Sequence, residues 1–362
     1  MRILTVCDYL GEANPSGAGR YLLETAKALR AMGHEVRILA GGEGKEEPGL
    51  FRFPFPASTG RARWLVGGGW SGIGKAHARA TEGWKPERFL FHQPLSAAAV
   101  LRASGDGIPA RYVFHSPWGA EIEARGGGRL QRWPRDRMER RVLAHCGKAV
   151  VLSDFMAGEM RKAHPELQVE TRKIPGGADL SRFAFGERPG NARPVLVTVR
   201  RLVPRMGLDN LLGAMERLNP RPFLVIAGTG PLEQDLRKGV ARRRLEKDVR
   251  LDGYVPEANL PALLGSADLF VLPSETLEGF GMVIPEALAC GTPVLGTPVG
   301  AIPEVLGAFD LSLIAPSADP EGLAEGIRRA LKAEIRRADC RAYAEMNFDW
   351  ARAGRDLADF LA

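Results

Sequence analysis

Short apolar runs alternate with longer amphipathic stretches along the whole chain. Residues 2–7, 34–41, 50–55, 88–91, 111–114 and 148–152 form such runs in the first half. Residues 194–199, 223–227, 249–254, 267–272, 293–296 and 311–314 repeat the pattern in the second. Runs of this length, rich in Ile, Val, Leu and Phe and closed by Gly, Pro, Asp or Ser, predict buried strands. Between them apolar positions recur at helical spacing. Leu22, Ala26, Leu29 and Met32 share one face and stop at Gly33, residues 131–145 read as a basic helix, and Ser153 caps a helix over 155–164. Strands that alternate with helices assemble as parallel sheets covered on both faces. The pattern therefore predicts an α/β chain of two doubly wound, Rossmann-like lobes, with six or seven strands in each.

The most informative stretch is 273–300, PSETLEGFGMVIPEALACGTPVLGTPVG. It follows the run 267–272, turns through Glu278-Gly279-Phe280-Gly281, and enters a helical pattern stopped by Gly291. Pro285 lacks an N–H and belongs in the first turn of that helix, which places the helix start near 280–282. Strand, glycine turn and helix start aim unpaired amides and the positive end of the helix dipole at an anion. Glu278 and Glu286 stand in the same place. Carboxylates repel phosphate, so beside a phosphate site they suit accepting hydrogen bonds from hydroxyls. The parts fit a nucleotide-sugar: diphosphate on the amides and a ring on each glutamate.

The sequence E-G-F-G, with seven residues between Glu278 and Glu286, then E-A-L-A-C-G-T-P-V, resembles the donor-site signature of the family 4 retaining glycosyltransferases. The resemblance is strong over 195–305 and looser over 1–180. It implies the GT-B architecture, two Rossmann-like lobes facing a central cleft. The expected boundaries are an acceptor-side lobe at 1–188, a donor-binding lobe at 189–345, and a C-terminal helix at 346–362 that crosses back onto the first lobe. Residues 184–193 are the expected linker.

The implied reaction is transfer of a sugar, with retention, from a nucleoside diphosphate (a UDP-sugar is favoured) to a hydroxyl of a glycan, lipid or phosphorylated small molecule. Synthesis of cell-envelope glycan or glycolipid is the expected setting. By resemblance Glu278 holds the donor sugar, Glu286 the ribose diol, and the backbone of Gly279, Phe280, Gly281, Met282 and Val283 the diphosphate. Arg201 matches the family's phosphate-binding arginine. The family's lysine five residues later is Met206 here, and Met offers neither charge nor donors. Arg205, next to it, carries a forked donor set suited to phosphate and is expected to compensate. Gly228 and Gly230 match a turn close to the nucleotide, and the backbone of Tyr254 and Val255 the strand end that faces the base. Gly17 and Gly19 match a glycine-rich segment near the donor phosphates. His115, at the end of a predicted strand, matches a histidine that contacts the transferred sugar; His92 has a weaker claim. Glu278, Arg201 and His115 are thus the catalytic candidates. Two other readings stay open: a nucleotide-sugar epimerase or hydrolase of the same architecture, and a homologue that binds donor without turnover.

Composition narrows the setting. Of 362 residues, 45% are hydrophobic and 26% charged, as in ordinary globular proteins, and no apolar run is long enough to cross a bilayer. The start, MRILTVCDYL, breaks at Asp8, too early for a signal-peptide core, so a cytoplasmic protein is expected. Four separated cysteines and six scattered histidines show no metal-site spacing, and no D-x-D triplet occurs. A metal-independent site without cofactor is expected. The net charge of +7 arises in the first half, mostly in 51–150, with 17 Lys+Arg against 7 Asp+Glu. Such a field favours an anionic partner. A lipid-borne or phosphorylated acceptor, or peripheral contact with the anionic inner face of the plasma membrane, fits better than nucleic acid, for which no motif is present. Residues 61–74, with two Arg, two Trp and five Gly, are a candidate for acceptor or membrane contact.

Overall fold

Strand β1 (Arg2–Cys7) is buried from its second residue onward, as the run ILTVC requires. It belongs to the first of two units of the chain. These are Met1–Pro175 with Trp350–Ala362, and Gly176–Asp349. They are seen in a computed structural model that describes residues 1–11, 16–42, 44–55, 69–105, 107–123, 128–186 and 190–362.

The first unit continues with β2 (Glu35–Gly41), β3 (Leu50–Phe53), β4 (Arg88–Phe91), β5 (Ala110–Phe114), β6 (Lys148–Val151) and β7 (Glu170–Lys173). All pair in parallel in the order β3-β2-β1-β4-β5-β6-β7. The order reverses between β1 and β4. Leu4, Val6, Phe89, Phe91, Phe114 and Leu143 help fill a core between this sheet and its helices. The terminal helix Trp350–Leu361 packs here on Gly17–Ala31. A Cβ on Gly354 would lie 2.6 Å from that of Ala28, and the Trp350 ring meets Tyr21 edge-on at 5.6 Å.

The second unit holds β8 (Val195–Val199), β9 (Phe223–Ala227), β10 (Val249–Gly253), β11 (Leu269–Leu272) and β12 (Val294–Gly296). Its parallel sheet runs β10-β9-β8-β11-β12 and reverses between β8 and β11. Each unit is thus a doubly wound sheet whose strand order turns at one point, the place where such sheets bind ligands at their carboxyl ends.

The structure corrects several expectations. The second sheet has five strands among the described residues, not six or seven, because Leu311–Leu313 is a 3-10 turn. Asp310 caps it by accepting from Ser312 N at 2.7 Å, and only Ile314 bridges to the sheet, at Gly296. The first sheet closes on β7, a strand that no apolar run marks. The second unit begins at Gly176 rather than 189 and runs to Asp349 rather than 345. The reason is local: Ala178 bridges Asp349, its N–H bonds Phe348 O at 2.9 Å, and Arg182 pairs with Glu257. Of the predicted linker, 187–189 lie outside the described residues. So do 61–68 of the Arg- and Trp-bearing segment, whose remainder from Gly69 begins the helix Gly69–Thr81. Among the described residues no helix is long and apolar enough to cross a membrane.

Candidate active site

At the switch point of the second sheet, β8 and β11 lie side by side with Val197 opposite Phe270. That register brings the residues just past both strands together. Arg200, whose N–H extends the β8–β9 ladder to Ala227 O at 2.9 Å, sends its side chain across the end of β11. There Nη1 donates to Ser274 Oγ at 2.6 Å and Nη2 donates to Glu278 Oε2. Ser274 Oγ also donates to Glu278 Oε2, at 2.8 Å. The guanidinium is 6% exposed and the carboxylate 13%.

Burial alone would push the Glu278 carboxyl up. The charge of Arg200 and the hydroxyl of Ser274, with Arg205 behind them, outweigh it and hold the group below the ordinary carboxylate value. Burial also lowers the Arg200 guanidinium from its usual value, against the opposing pull of Glu278. Both charges persist because each is the other's partner.

The loop carrying Glu278 is held from several sides. Glu275 N donates to Arg205 O at 2.9 Å, Arg205 Nη1 donates to Leu277 O at 3.1 Å, Thr297 Oγ1 donates to Ser274 O at 2.6 Å, and Ala301 N donates to Glu278 O at 2.9 Å. Leu277 has φ +52°, a left-handed conformation that a leucine adopts only when its surroundings enforce it. Just beyond, the helix Val283–Ala289 begins with Pro285 in its first turn, and Ile284 N closes onto Gly281 O at 2.7 Å. The first amides of a helix have no intrahelical partner, so Gly281, Met282 and Val283 present donors at this end. Glu286 lies on the same helix and is 4% exposed. Phe280 is buried edge-on against Phe348 at 5.8 Å, an anchor for the glycine turn.

The other donor-side candidates surround this point. Arg201 is exposed, next in sequence to Arg200. Met206 is 6% exposed and belongs to the core cluster that also holds Leu208, Leu211 and Leu236. Gly228 has a specific reason to be glycine. Its φ is +135°, and a Cβ there would come within 1.7 Å of Arg200 O. Gly230 approaches Leu202 O in the same way. With Leu202 N donating to Thr229 O at 2.9 Å, this turn pins the backbone from which Arg200 projects. Gly228 N bonds Gly253 O at 2.6 Å, which sets Tyr254 (48% exposed) and Val255 next to it.

In the first unit, Gly17 and Gly19 lie within the first helical turn, where Ser16 Oγ accepts from Gly19 N at 3.2 Å. Residues 12–15 of the preceding loop lie outside the described residues. His115 follows β5 and His92 follows β4. Their rings stack with His92 Nδ1 3.2 Å from His115 Nε2. Burial pushes His115 down to about 4, and burial with the charge of His115 takes His92 well below its ordinary value. Both imidazoles are neutral near pH 7.

Reading the sequence misses Arg200 and Ser274. Their signal is positional: each follows a buried strand that borders the reversal in strand order. Among the described residues no cluster of three or more His, Cys, Asp or Glu could hold a metal ion.

Comparison with known proteins places the chain in a family. The family described as glycosyl transferases group 1 matches residues 182–346, and that described as glycosyltransferase family 4 matches 15–182. A GDP-mannose-dependent alpha-(1-6)-phosphatidylinositol monomannoside mannosyltransferase of Mycolicibacterium smegmatis is 32% identical over 212 residues. The match covers 52% of this chain and 55% of that relative, so the chain spans a little over half of its length. The sucrose-phosphate synthase of Thermosynechococcus elongatus superposes with a TM-score of 0.84 at 20% identity, covering 99% of this chain and 98% of that one. HepE of Anabaena, solved in complex with UDP-glucose, gives a TM-score of 0.75 at 20% identity over 100% and 99%. The fold is that of the GT-B glycosyltransferases.

Proposed function

The chain belongs to the family 4 glycosyltransferases, and from that premise we propose that it moves a sugar from a nucleoside diphosphate to an acceptor hydroxyl with retention. The observation that carries the reading is the Arg200–Ser274–Glu278 cluster beside the open first turn of Val283–Ala289. It offers a fixed carboxylate for sugar hydroxyls next to amide donors for a diphosphate. Glu286 takes the ribose diol. As the anomeric C–O bond breaks, charge grows on the diphosphate, and the amides with Arg201 and Arg205 stabilise it by preorganised electrostatics, without a metal. The departing phosphate oxygen takes the acceptor's proton. In the first unit His115 is the candidate for substrate contact.

The donor is a UDP- or GDP-sugar. HepE is solved with UDP-glucose and the mannosyltransferase of Mycolicibacterium smegmatis is GDP-mannose-dependent. The acceptor is lipid-borne or otherwise anionic, used in the cytoplasm at the inner face of the plasma membrane. The helix Arg129–Cys146 supports this reading. Leu130 is 94% and Trp133 67% exposed on it, beside Arg132, Arg137 and Arg141. A basic helix with exposed apolar residues suits an anionic interface.

The test is incubation of the protein with radiolabelled UDP-glucose or GDP-mannose and a lipid extract. Label entering the lipid fraction with release of nucleoside diphosphate supports the reading. Conversion of donor without acceptor marks an epimerase or hydrolase instead.

A further inference from the structure

Arg200 has no part in the reaction as described so far, yet its guanidinium is only 6% exposed. Its guanidinium reaches Glu278 only because three local features agree. The β8–β11 register aligns the strand ends. The Gly228 turn lets backbone close on Arg200 O. Ser274, 0% exposed, fills the space between guanidinium and carboxylate and bonds both. The two bonds that reach Glu278, from Arg200 and from Ser274, end on the same oxygen, Oε2. Oε1 has no partner among the described residues.

We infer that Arg200 is a positioning residue of the donor site: with Ser274 it ties down Oε2 of Glu278 and leaves Oε1 directed to accept from a sugar hydroxyl. This rests on the donor-site reading above. Arg200 is then required for the sugar ring and not for the diphosphate. A carboxylate anchored at one oxygen loses little freedom when the other takes up a hydroxyl, so orientation is settled before the ligand arrives. An arginine suits this task better than a lysine, because its planar fork bonds serine and carboxylate together. Met206, turned into the core, provides no competing cation for Glu278.

The experiment compares wild type with Arg200→Met and Arg200→Lys. The first measurement is calorimetric binding of UDP-glucose or GDP-mannose, whichever wild type binds, alongside the matching free diphosphate. Arg200→Met is expected to weaken nucleotide-sugar binding by about tenfold or more and to leave free UDP or GDP within about twofold. Arg200→Lys is expected to recover part of the loss. Equal weakening of both ligands in a folded variant would make Arg200 a phosphate ligand and overturn the inference. Tighter sugar binding would make it a plug, with the same consequence.

The second measurement needs no ligand. Carbon-13 NMR follows the titration of the Glu278 carboxyl, which is expected to move to higher pH by about one unit or more in Arg200→Met. An unchanged titration overturns the inference whatever the activity. A shifted titration in a protein that binds neither nucleotide-sugar upholds the role of Arg200 and removes the donor reading instead.

Discussion

Gly207 and Pro273 meet backbone to backbone. Gly207 has φ +68°, and a Cβ placed on it would lie 1.7 Å from Pro273 O. Through this contact the short 3-10 turn Pro204–Met206 seats under the end of β11 and places Arg205 against the Glu278 loop. Gly207→Ala must break the contact and adopt a disfavoured conformation together. It is expected to destabilise the protein by about 2–4 kcal/mol, read from the midpoint of urea denaturation. An unchanged midpoint would show that the turn does not depend on this approach.

Arg205 donates to the carbonyl of Leu277, the residue held at φ +52°, and stands near enough to bias Glu278. If it supplies the charge that Met206 lacks, Arg205→Ala should lower affinity for a free nucleoside diphosphate by about tenfold. This is the opposite ligand selectivity to that expected at Arg200. A loss below about twofold would remove Arg205 from phosphate binding.

Met206→Lys looks from sequence like a restoration of the family pattern. The structure predicts otherwise, since Met206 is buried among leucines. An ammonium at this position loses hydration without gaining a partner, so the variant should lose about 2–4 kcal/mol of stability and gain no activity. A rise in transfer rate at wild-type stability would show that the segment can turn its side chain toward the site.

Strands were legible where apolar runs are continuous. Phe223–Ala227 and Arg2–Cys7 sit where the pattern puts them. The edge strand β7 is Glu-Thr-Arg-Lys, mostly in solvent, and carries no such signal. The run 311–314 carries the signal, but Leu311–Leu313 is a 3-10 turn, because the Asp310 cap competes with the ladder locally. The stretch around Glu278 and Glu286 was readable since glycine, proline and glutamate each have a local reason to be there. Arg200 was not. Its role depends on which strand lies beside β8, a fact of topology, and Arg201 carries the same side chain one residue on. The two glycines of the Gly228-Thr229-Gly230 turn also have a structural reason that the sequence does not show, the close approach of the Arg200 and Leu202 backbone.

The histidine pair gives a pH prediction. His115 is depressed from 6.5 to about 4, and His92 in the same direction, both chiefly by burial. Between those values the unfolded chain binds more protons than the folded one. Stability present at neutral pH is therefore lost as pH falls from 6.5 toward 4, and no further loss from His115 follows below 4. The loss from His115 is bounded by about 3.5 kcal/mol. The difference between wild type and His115→Asn in denaturation midpoint should shrink over that interval. A difference independent of pH would show that the imidazole titrates normally.

The central claim is that the second unit holds a nucleotide-sugar with Glu278 on the sugar and the amides of the Val283 helix start on the diphosphate. Thermal unfolding with and without UDP-glucose and GDP-mannose tests it most directly, in wild type and in Glu278→Ala, because a ligand of the folded form raises the melting temperature. The account predicts a clear rise for one donor in wild type, a much smaller rise for that donor in Glu278→Ala, and equal rises for its free diphosphate in both. Equal rises with the full donor in both proteins, or none with either donor, would contradict it.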